Sequence, residues 1–365
     1  MQSNLSMDPV INKLPKIFLP NAEQELPSCD LIVPIWNQLE RTKRCLTSIL
    51  QNTAGVDCHL ILIDNASENP TCSFLKDFAQ RFKSHVTLIQ NDVNLGNIKS
   101  VNQGIQASTS DYVCVLDNDT IVFDGWLERM IRAANSGEKV GIVNPASNDL
   151  GFKKPLLLSW NSFAKKISEK EKGRYVEIAT ASGFCMLIKR AVLNQIGGWG
   201  EAFGMGYYED HDYSRRAYEA GFICIHARDA FVYHEGSVSF RSMPKEKVSF
   251  IEGNRKLFET KHGKPQRIAF CLYEPEKLLE EKVIAEALKS ARANNWVWVF
   301  STRLFIDFLT HGFIKSKRFP KVLFWFSCFF TLVFKKKRFD IIYTNNIVFK
   351  GILSRLKFPC LYESA

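Results

Sequence analysis

Residues 112–120 read Tyr112-Val113-Cys114-Val115-Leu116-Asp117-Asn118-Asp119-Thr120, and the fold turns on how they are read. A short apolar run rich in β-branched residues, preceded by polar Ser108-Thr-Ser-Asp111, predicts a buried strand that stops where the carboxylates begin. Asp117 and Asp119 then stand at the C-terminal end of that strand. Side chains two apart on an extended chain point the same way, so both carboxylates can face one spot. Like charges at a core edge are costly unless a cation or hydrogen-bond donors lie between them. A hard divalent ion that also carries phosphates, Mg²⁺ or Mn²⁺, meets that need. Turn chemistry is the alternative, because Asp, Asn and Thr are all turn and N-cap formers.

Working outward, the chain repeats the pattern. Asp30-Leu-Ile-Val-Pro-Ile35 is a buried strand, and a helix follows from about Leu39 to Gln51 with Leu39, Leu46, Ile49 and Leu50 on one face. His59-Leu-Ile-Leu-Ile-Asp64 is a second strand, ending in Asp64-Asn-Ala-Ser67. Leu75 to Phe82 is a helix, Val86 to Ile89 a strand, and Asn94-Leu-Gly-Asn97 a turn that starts the next helix. Strand and helix alternate four times, which predicts an α/β fold: a mixed, mostly parallel sheet flanked by helices. Ligands bind such sheets outside the carboxyl ends of the strands, the edge that holds Asp64, Asn94, Asp117 and Asp119. Asp64 reads equally as a turn residue ahead of Ser67, and Asn94 and Gly96 read first as turn chemistry. No Gly-x-Gly-x-x-Gly follows the first strand, so a dehydrogenase-type dinucleotide site is unsupported, while a nucleotide held by acidic groups through a metal stays open.

Composition sets the remaining bounds. The 365 residues suffice for two domains, and 46% hydrophobic with 24% charged residues is ordinary for a folded protein. A net charge of +10 points to an anionic partner, whether nucleic acid, nucleotide phosphates or an acidic membrane face, and charge alone does not choose among them. The 10 cysteines show no metal-ligand spacing and read as reduced thiols of a cytoplasmic protein. Residues 1–28 read as a polar leader or linker without a secretory signal. The longest apolar run, Val322 to Phe334, is shorter than the roughly 20 residues that span a bilayer.

The middle of the chain adds a second constellation. Gly151 to Lys172 is a Lys- and Ser-rich excursion expected on the surface, and Ala181-Ser-Gly-Phe-Cys-Met-Leu-Ile-Lys-Arg190 contains a strand. Gly197-Gly-Trp-Gly200 offers close backbone approach to a ligand. Glu209-Asp-His-Asp212 opens a helix that carries Arg216 and ends at Gly221. Carboxylates at a helix start complement its dipole, which is the structural alternative to a general base. Phe222-Ile-Cys-Ile225 and Ala230-Phe-Val-Tyr-His234 read as two closing segments.

The strand with Asp64-Asn-Ala-Ser67, the Asn94-x-Gly-Asn97 turn, Asp117-Asn-Asp119, Gly183-Phe-Cys, Gly197-Gly-Trp-Gly and Glu209-Asp-His-Asp with Arg216 and Gly221 follow one another in the order and spacing of family 2 glycosyltransferases. The resemblance covers about Asp30 to Arg241. It implies a GT-A fold and an inverting, metal-dependent transfer from a nucleoside-diphosphate sugar to a glycan or lipid-linked acceptor. It further implies nucleotide-sugar contacts from Pro34, Asn37, Asp64, Asn94, Gly96, Asp117 and Asn118. The cation, Mn²⁺ or Mg²⁺, would sit on Asp119, Asp117 and His234, although a lone His at a strand end is otherwise a structural residue. Asp210 would be the general base with Glu209 beside it, and Gly183, Trp199, Gly200 and Arg216 would face the acceptor or sugar. Arg216 suits equally the anchoring of the acidic loop.

After Lys264 the pattern restarts with strands at Arg267 to Tyr273, Trp296 to Phe300, Phe339 to Tyr343 and Pro359 to Tyr362, and a helix from Pro275 to Ala293. This predicts a smaller, partial Rossmann-like unit over 263–365, loosely resembling the opening of a GT-B glycosyltransferase, behind a GT-A domain over 29–262. Residues 315–338 bracket the apolar run with basic clusters, giving either a buried helix with a solvated end or an interfacial helix on an anionic leaflet. The second placement is peripheral, on the inner face of the cytoplasmic membrane. Nucleic acid is not an expected partner. Two other functions fit less of the pattern: a sugar-phosphate nucleotidyltransferase, which would want a Gly-rich loop where Pro34-Ile-Trp-Asn37 stands, and a non-catalytic membrane-associated scaffold.

Overall fold

The computed structural model describes residues 27–236, 245–303 and 311–362. Most of the expected leader, 1–28, lies outside them. The chain forms two compact units, one of residues 1–175 with 181–255, the other of 176–180 with 256–365.

In the first unit, β1 (Ser28–Ile35), β2 (Asp57–Asn65) and β4 (Tyr112–Leu116) are the expected apolar runs, and all five residues of β4 are buried. Between them lie α1 (Leu39–Asn52), α2 (Thr71–Arg81), β3 (Val86–Asn91) and α3 (Asn97–Ala107). The 3.6-residue period holds in α1, which buries Thr42, Cys45, Leu46, Ile49 and Leu50 against the sheet. After β4 come β5 (Thr120–Val122), α4 (Trp126–Ala134), β6 (Val140–Ala146), α5 (Trp160–Lys170), β7 (Tyr175–Ile178), of which 176–178 are counted in the second unit, β8 (Cys185–Lys189), α6 (Arg190–Ile196), α7 (Glu209–Glu219), β9 (Ile223–His234) and α8 (Lys245–His262), of which 256–262 are counted in the second unit.

The sheet runs β3-β2-β1-β4-β8-β6-β9-β5. Strands β1 to β4 are mutually parallel, β8 runs antiparallel to both β4 and β6, and β5 pairs antiparallel with β9. The mixed, mostly parallel α/β architecture expected from the sequence is therefore present. Asp117 continues the β4–β8 ladder by one bond, donating its N–H to the Phe184 carbonyl at 2.8 Å.

Three local expectations are corrected. The surface excursion at 151–172 contains α5, which buries Phe163, Ala164 and Ile167 against Phe123 and Phe231; its apolar spacing is hidden among lysines and serines. The two closing segments, 222–225 and 230–234, are parts of one strand, β9, which runs on through an irregularity of register against β6 between Pro145 and Ala146. Residues 314–318, read as a basic flank, form an edge strand. A division at 262/263 falls at the end of α8, whereas the compact units divide within that helix, after Arg255.

The second unit is a parallel five-stranded sheet in the order β12-β11-β10-β13-β14, from β10 (Arg267–Leu272), β11 (Trp296–Ser301), β12 (Ile314–Arg318), β13 (Ile341–Thr344) and β14 (Cys360–Tyr362). One face packs α9 (Lys277–Arg292) through Leu279, Val283 and Ala287, and the other packs α10 (Phe324–Val333) and α11 (Ile347–Arg355) through Phe324, Cys328 and Phe349. No helix among the described residues is long and apolar enough to cross a membrane. The cysteines are all free, as expected.

Helix α3 carries the turn that later forms one wall of the site, and its approach to β1 depends on Gly104. A Cβ there would lie 2.4 Å from Cγ2 of Ile32, a fully buried β-branched side chain. Gly104→Ala should lower stability by about 1–3 kcal/mol through overpacking, despite the better helix propensity of alanine. A chemical-denaturation comparison with the parent chain measures it.

Candidate active site

The carboxyl edges of β1, β2 and β4 and the N-terminus of α3 surround a cleft of about 280 Å³, lined by Pro34, Ile35, Trp36, Asn65, Asn94, Gly96, Asn97, Asp117, Asn118 and Met205. Its back wall is an amide network. Asn65 accepts from Leu95 N–H at 2.9 Å and donates to Asn94 Oδ1 at 2.7 Å, while Asn94 Oδ1 also accepts from Gly96 N–H at 2.9 Å. Gly96, at φ 83°, is required twice: by its backbone and because a Cβ would meet Met205 Sδ at 2.8 Å.

Asp64 and Asn37 serve this wall from behind. Both Asp64 oxygens are engaged, Oδ1 by Ser67 N–H at 2.9 Å and Oδ2 by Gln90 at 3.2 Å, and the residue is 2% exposed. The N–H of Asn37 donates to Ser67 Oγ at 2.8 Å and its Oδ1 accepts from Glu68 N–H at 2.8 Å. These are the bonds of the turn alternative, and they fix Asn65, which carries the wall.

Asp117, Asp119 and His234 come together with ligand atoms within 4.8 Å of one another. Register places His234 opposite Thr120 on the β5–β9 ladder, with its Nε2 3.2 Å from Asp119 Oδ1. Thr120 closes the turn by donating its hydroxyl to the Asp117 carbonyl at 2.8 Å, and Asn118 donates to Thr42 Oγ1 at 2.9 Å. Two carboxylates and an imidazole, with no thiolate, form a donor set that fits a divalent cation taking oxygen and nitrogen ligands. Burial and the Asp119 carboxylate push Asp117 up to about 7. For His234, burial acts downward, but the hydrogen bond and charge of Asp119, helped by Asp117 and Asp149, outweigh it and raise the imidazole to about 9.

The surroundings of His234 had no signal in the sequence. Asn148 brackets its backbone, accepting from His234 N–H and donating to its carbonyl, each at 2.9 Å. Asp149 Oδ2 lies 2.7 Å from Nδ1, and the Phe184 ring stacks on the imidazole at 5.0 Å. Asp149 lies 85 positions away in the chain, so no local pattern links it to His234.

Glu209 and Asp210 open α7 beside this cluster, near enough that the charges of Asp210 and Asp117 act on each other. Asp210 Oδ1 accepts from the His211 backbone and faces His211 Nδ1, both at 2.8 Å, and Oδ2 accepts from Gly183 N–H at 3.3 Å. Burial opposes ionisation, but His211 and these bonds hold the carboxyl below its usual range. Burial and the charge of Asp210 push Glu209 up to about 8, and its Oε2 is buried with no hydrogen-bond partner. Gly183 is itself positioned by Asn144, which accepts from Ser182 N–H and donates to the Ser182 carbonyl.

The preceding loop is conformationally strained. Tyr207 and Tyr208 adopt φ 68° and 72°, unusual for bulky side chains, and Asn254 on α8 holds them by donating to the carbonyls of Phe203, Gly206 and Tyr207. Trp199 is 2% exposed and its backbone is bonded to Asn102; its ring lies beneath Gly183, where a Cβ would approach Cη2 to 3.1 Å. Gly200 packs on Asp212. Arg216 donates to Asp212 Oδ2 and to the carbonyls of Ile196 and Gly198, each at 2.8 Å. Arg216 thus anchors the Gly197–Gly200 loop.

Residues 30–197 match the family model described as Glycosyl transferase family 2. A probable glycosyltransferase, YdaM of Bacillus subtilis, is 20% identical over 239 residues, covering 64% of this chain and 56% of that protein. The poly-beta-1,6-N-acetyl-D-glucosamine synthase of Staphylococcus epidermidis is 26% identical over 190 residues, covering 50% and 44%. The chain spans about half the length of these curated relatives. A mannosyltransferase from Pyrobaculum calidifontis, solved with GDP-Man and Mn²⁺, aligns with a TM-score of 0.45 at 18% identity, covering 65% of this chain and 61% of that one.

Removing the carboxylate behind His234 should weaken cation binding without unfolding the site. For Asp149→Ala we expect the Mn²⁺ dissociation constant to rise about 10- to 100-fold, the range typical when a metal-bound histidine loses its carboxylate partner. Titration followed by the electron paramagnetic resonance of free Mn²⁺ measures it.

Proposed function

We propose, from the match of residues 30–197 to the Glycosyl transferase family 2 model, that the chain moves a sugar from a nucleoside-diphosphate sugar to a hydroxyl of a glycan or lipid-linked acceptor, inverting the anomeric carbon. One observation carries the reading: the cation-type triad and the Asp210 carboxylate are tied to one stretch of backbone, where Phe184 accepts from Asp117 N–H and stacks on His234 while Gly183 N–H donates to Asp210.

The chemistry is a single displacement. Asp210 accepts the proton of the acceptor hydroxyl as its oxygen bonds to the anomeric carbon, and the bond from that carbon to the diphosphate oxygen breaks. His211 and Gly183 N–H hold the Asp210 carboxylate in place for that transfer. A divalent cation, Mn²⁺ or Mg²⁺, on Asp117, Asp119 and His234 would supply positive charge to the departing nucleoside diphosphate. The nucleotide occupies the cleft of Pro34, Asn65, Asn94, Gly96 and Asn118, with Asp64 acting through the turn it holds. Glu209, protonated near neutral pH, faces the acceptor or sugar along with Gly183 and Gly200, while the buried Trp199 ring supports Gly183 from beneath. The relative named as a poly-beta-1,6-N-acetyl-D-glucosamine synthase supports a glycan acceptor.

Asp119→Ala and Asp210→Asn should each reduce Mn²⁺-dependent transfer from UDP-, GDP- or dTDP-sugars by at least about 10²-fold, the scale of a lost general base. Product formation measured by mass spectrometry at parental rates in either variant would sink the mechanism.

The second unit supports a peripheral placement at an anionic membrane on the cytoplasmic side. Phe326, Phe330 and Phe334 stack along the outside of α10, 63%, 42% and 73% exposed. Eight Lys and Arg residues and no Asp or Glu occur between Ile314 and Phe339. Apolar side chains flanked by cations match the boundary between acyl chains and anionic headgroups. Replacing Phe326 and Phe330 by Ser should abolish co-sedimentation with phosphatidylglycerol vesicles; equal binding to neutral phosphatidylcholine vesicles would refute the electrostatic part.

A further inference from the structure

Two arginines on α1 approach the acidic triad from outside the cleft lining. Arg41 Nη1 lies 3.7 Å from Asp119 Oδ2, and its Nε lies 3.6 Å from Glu235 Oε2. Arg44 Nη2 donates to the same Glu235 oxygen at 2.6 Å. Glu235 follows His234 directly and donates its N–H to the Asp119 carbonyl at 2.9 Å, so its backbone is fixed relative to the triad while its carboxylate is held by Arg44. Gly236 continues past Asp119 so closely that a Cβ would sit 2.2 Å from Asp119 Oδ2.

Two guanidiniums share the Glu235 carboxylate, and Arg41 divides its charge between that group and Asp119, reaching each at a distance too long for a hydrogen bond. The side chains remain 40% and 52% exposed, so burial does not explain them. A divalent cation held by Asp119 would supply positive charge opposite the Arg41 guanidinium, and a partly exposed guanidinium beside such a site is suited to an anionic group brought there with the cation. The planar fork of arginine matches two phosphate oxygens at once, which an amide or ammonium group does not.

We propose that Arg41 is a diphosphate clamp, released from Asp119 when the cation binds and closing on the nucleoside diphosphate, with Arg44 holding Glu235 as the post against which it turns. This rests on the glycosyltransferase reading above. It assigns Arg41 two roles of opposite sign, competitor to the bare cation and ally of the cation–diphosphate complex.

Isothermal titration of the full chain tests both. Arg41→Gln should bind Mn²⁺ alone about two- to fivefold more tightly, because a surface charge opposing the ion is gone. The same variant should bind UDP, GDP or dTDP in saturating Mn²⁺ roughly tenfold more weakly, the value of a charge-assisted bond, with a smaller loss for the corresponding monophosphate. Arg41→Lys should restore the effect on bare Mn²⁺ but not the diphosphate affinity. Arg44→Gln should weaken diphosphate binding without tightening Mn²⁺. Equal diphosphate affinity in parent and Arg41→Gln, or a loss of Mn²⁺ and diphosphate together, overturns the clamp and leaves the glycosyltransferase reading standing. A parent chain that binds Mn²⁺ but none of the three diphosphates overturns both.

Discussion

Like-charge repulsion between Asp117 and Asp119 is the constraint that organises the first unit. Two carboxylates at the end of a fully buried strand are kept together by contributions from separate parts of the chain. The Thr120 hydroxyl closes the turn, β9 brings His234 across from it, and α1 supplies Thr42 to Asn118 and Arg41 to Asp119. The antiparallel β5–β9 pairing is the joint on which this rests. Sliding that register by one residue would turn His234 to the other face of the ladder and leave the pair without its nitrogen partner.

A second principle governs the rest of the site: residues that look chemical mostly hold backbone. Asp64, Asn65, Asn94 and Asn144 satisfy N–H and carbonyl groups of turns that would otherwise be buried unpaired, and Arg216 closes the Gly197–Gly200 loop. The strained Tyr207–Tyr208 backbone persists because Asn254 binds three carbonyls around it. Rigid turns of this kind leave few side chains free to meet a ligand. They set where Asp117, Glu209 and Asp210 stand, and the protein's polar inventory is largely spent on that placement.

The alternating apolar runs and helices made the parallel half of the sheet legible, because fully buried strands and amphipathic helices carry opposite periodicities. Where pattern failed, a physical signal was missing. The apolar face of α5 is diluted by lysines, and the middle of β9, Ala227-Arg-Asp-Ala230, reads polar where its register against β6 is irregular. Asp210 and Asp117 were legible as separate acidic clusters, but their mutual reach was not.

The sequence by itself determined which residues could bear charge at strand ends and helix starts, since those positions follow from local periodicity and turn chemistry. It also carried the order of motifs that resembles family 2 glycosyltransferases. Only the tertiary structure decided which of those residues face one another. His234 meets Asp119 through a ladder between distant segments, Asp149 reaches the far nitrogen of that imidazole, and Arg41 leans on the same carboxylate from a helix about 80 residues earlier. Contacts of that kind depend on strand register and on how helices pack against the sheet, which are set by burial summed over the whole unit and leave no trace in a local stretch of chain.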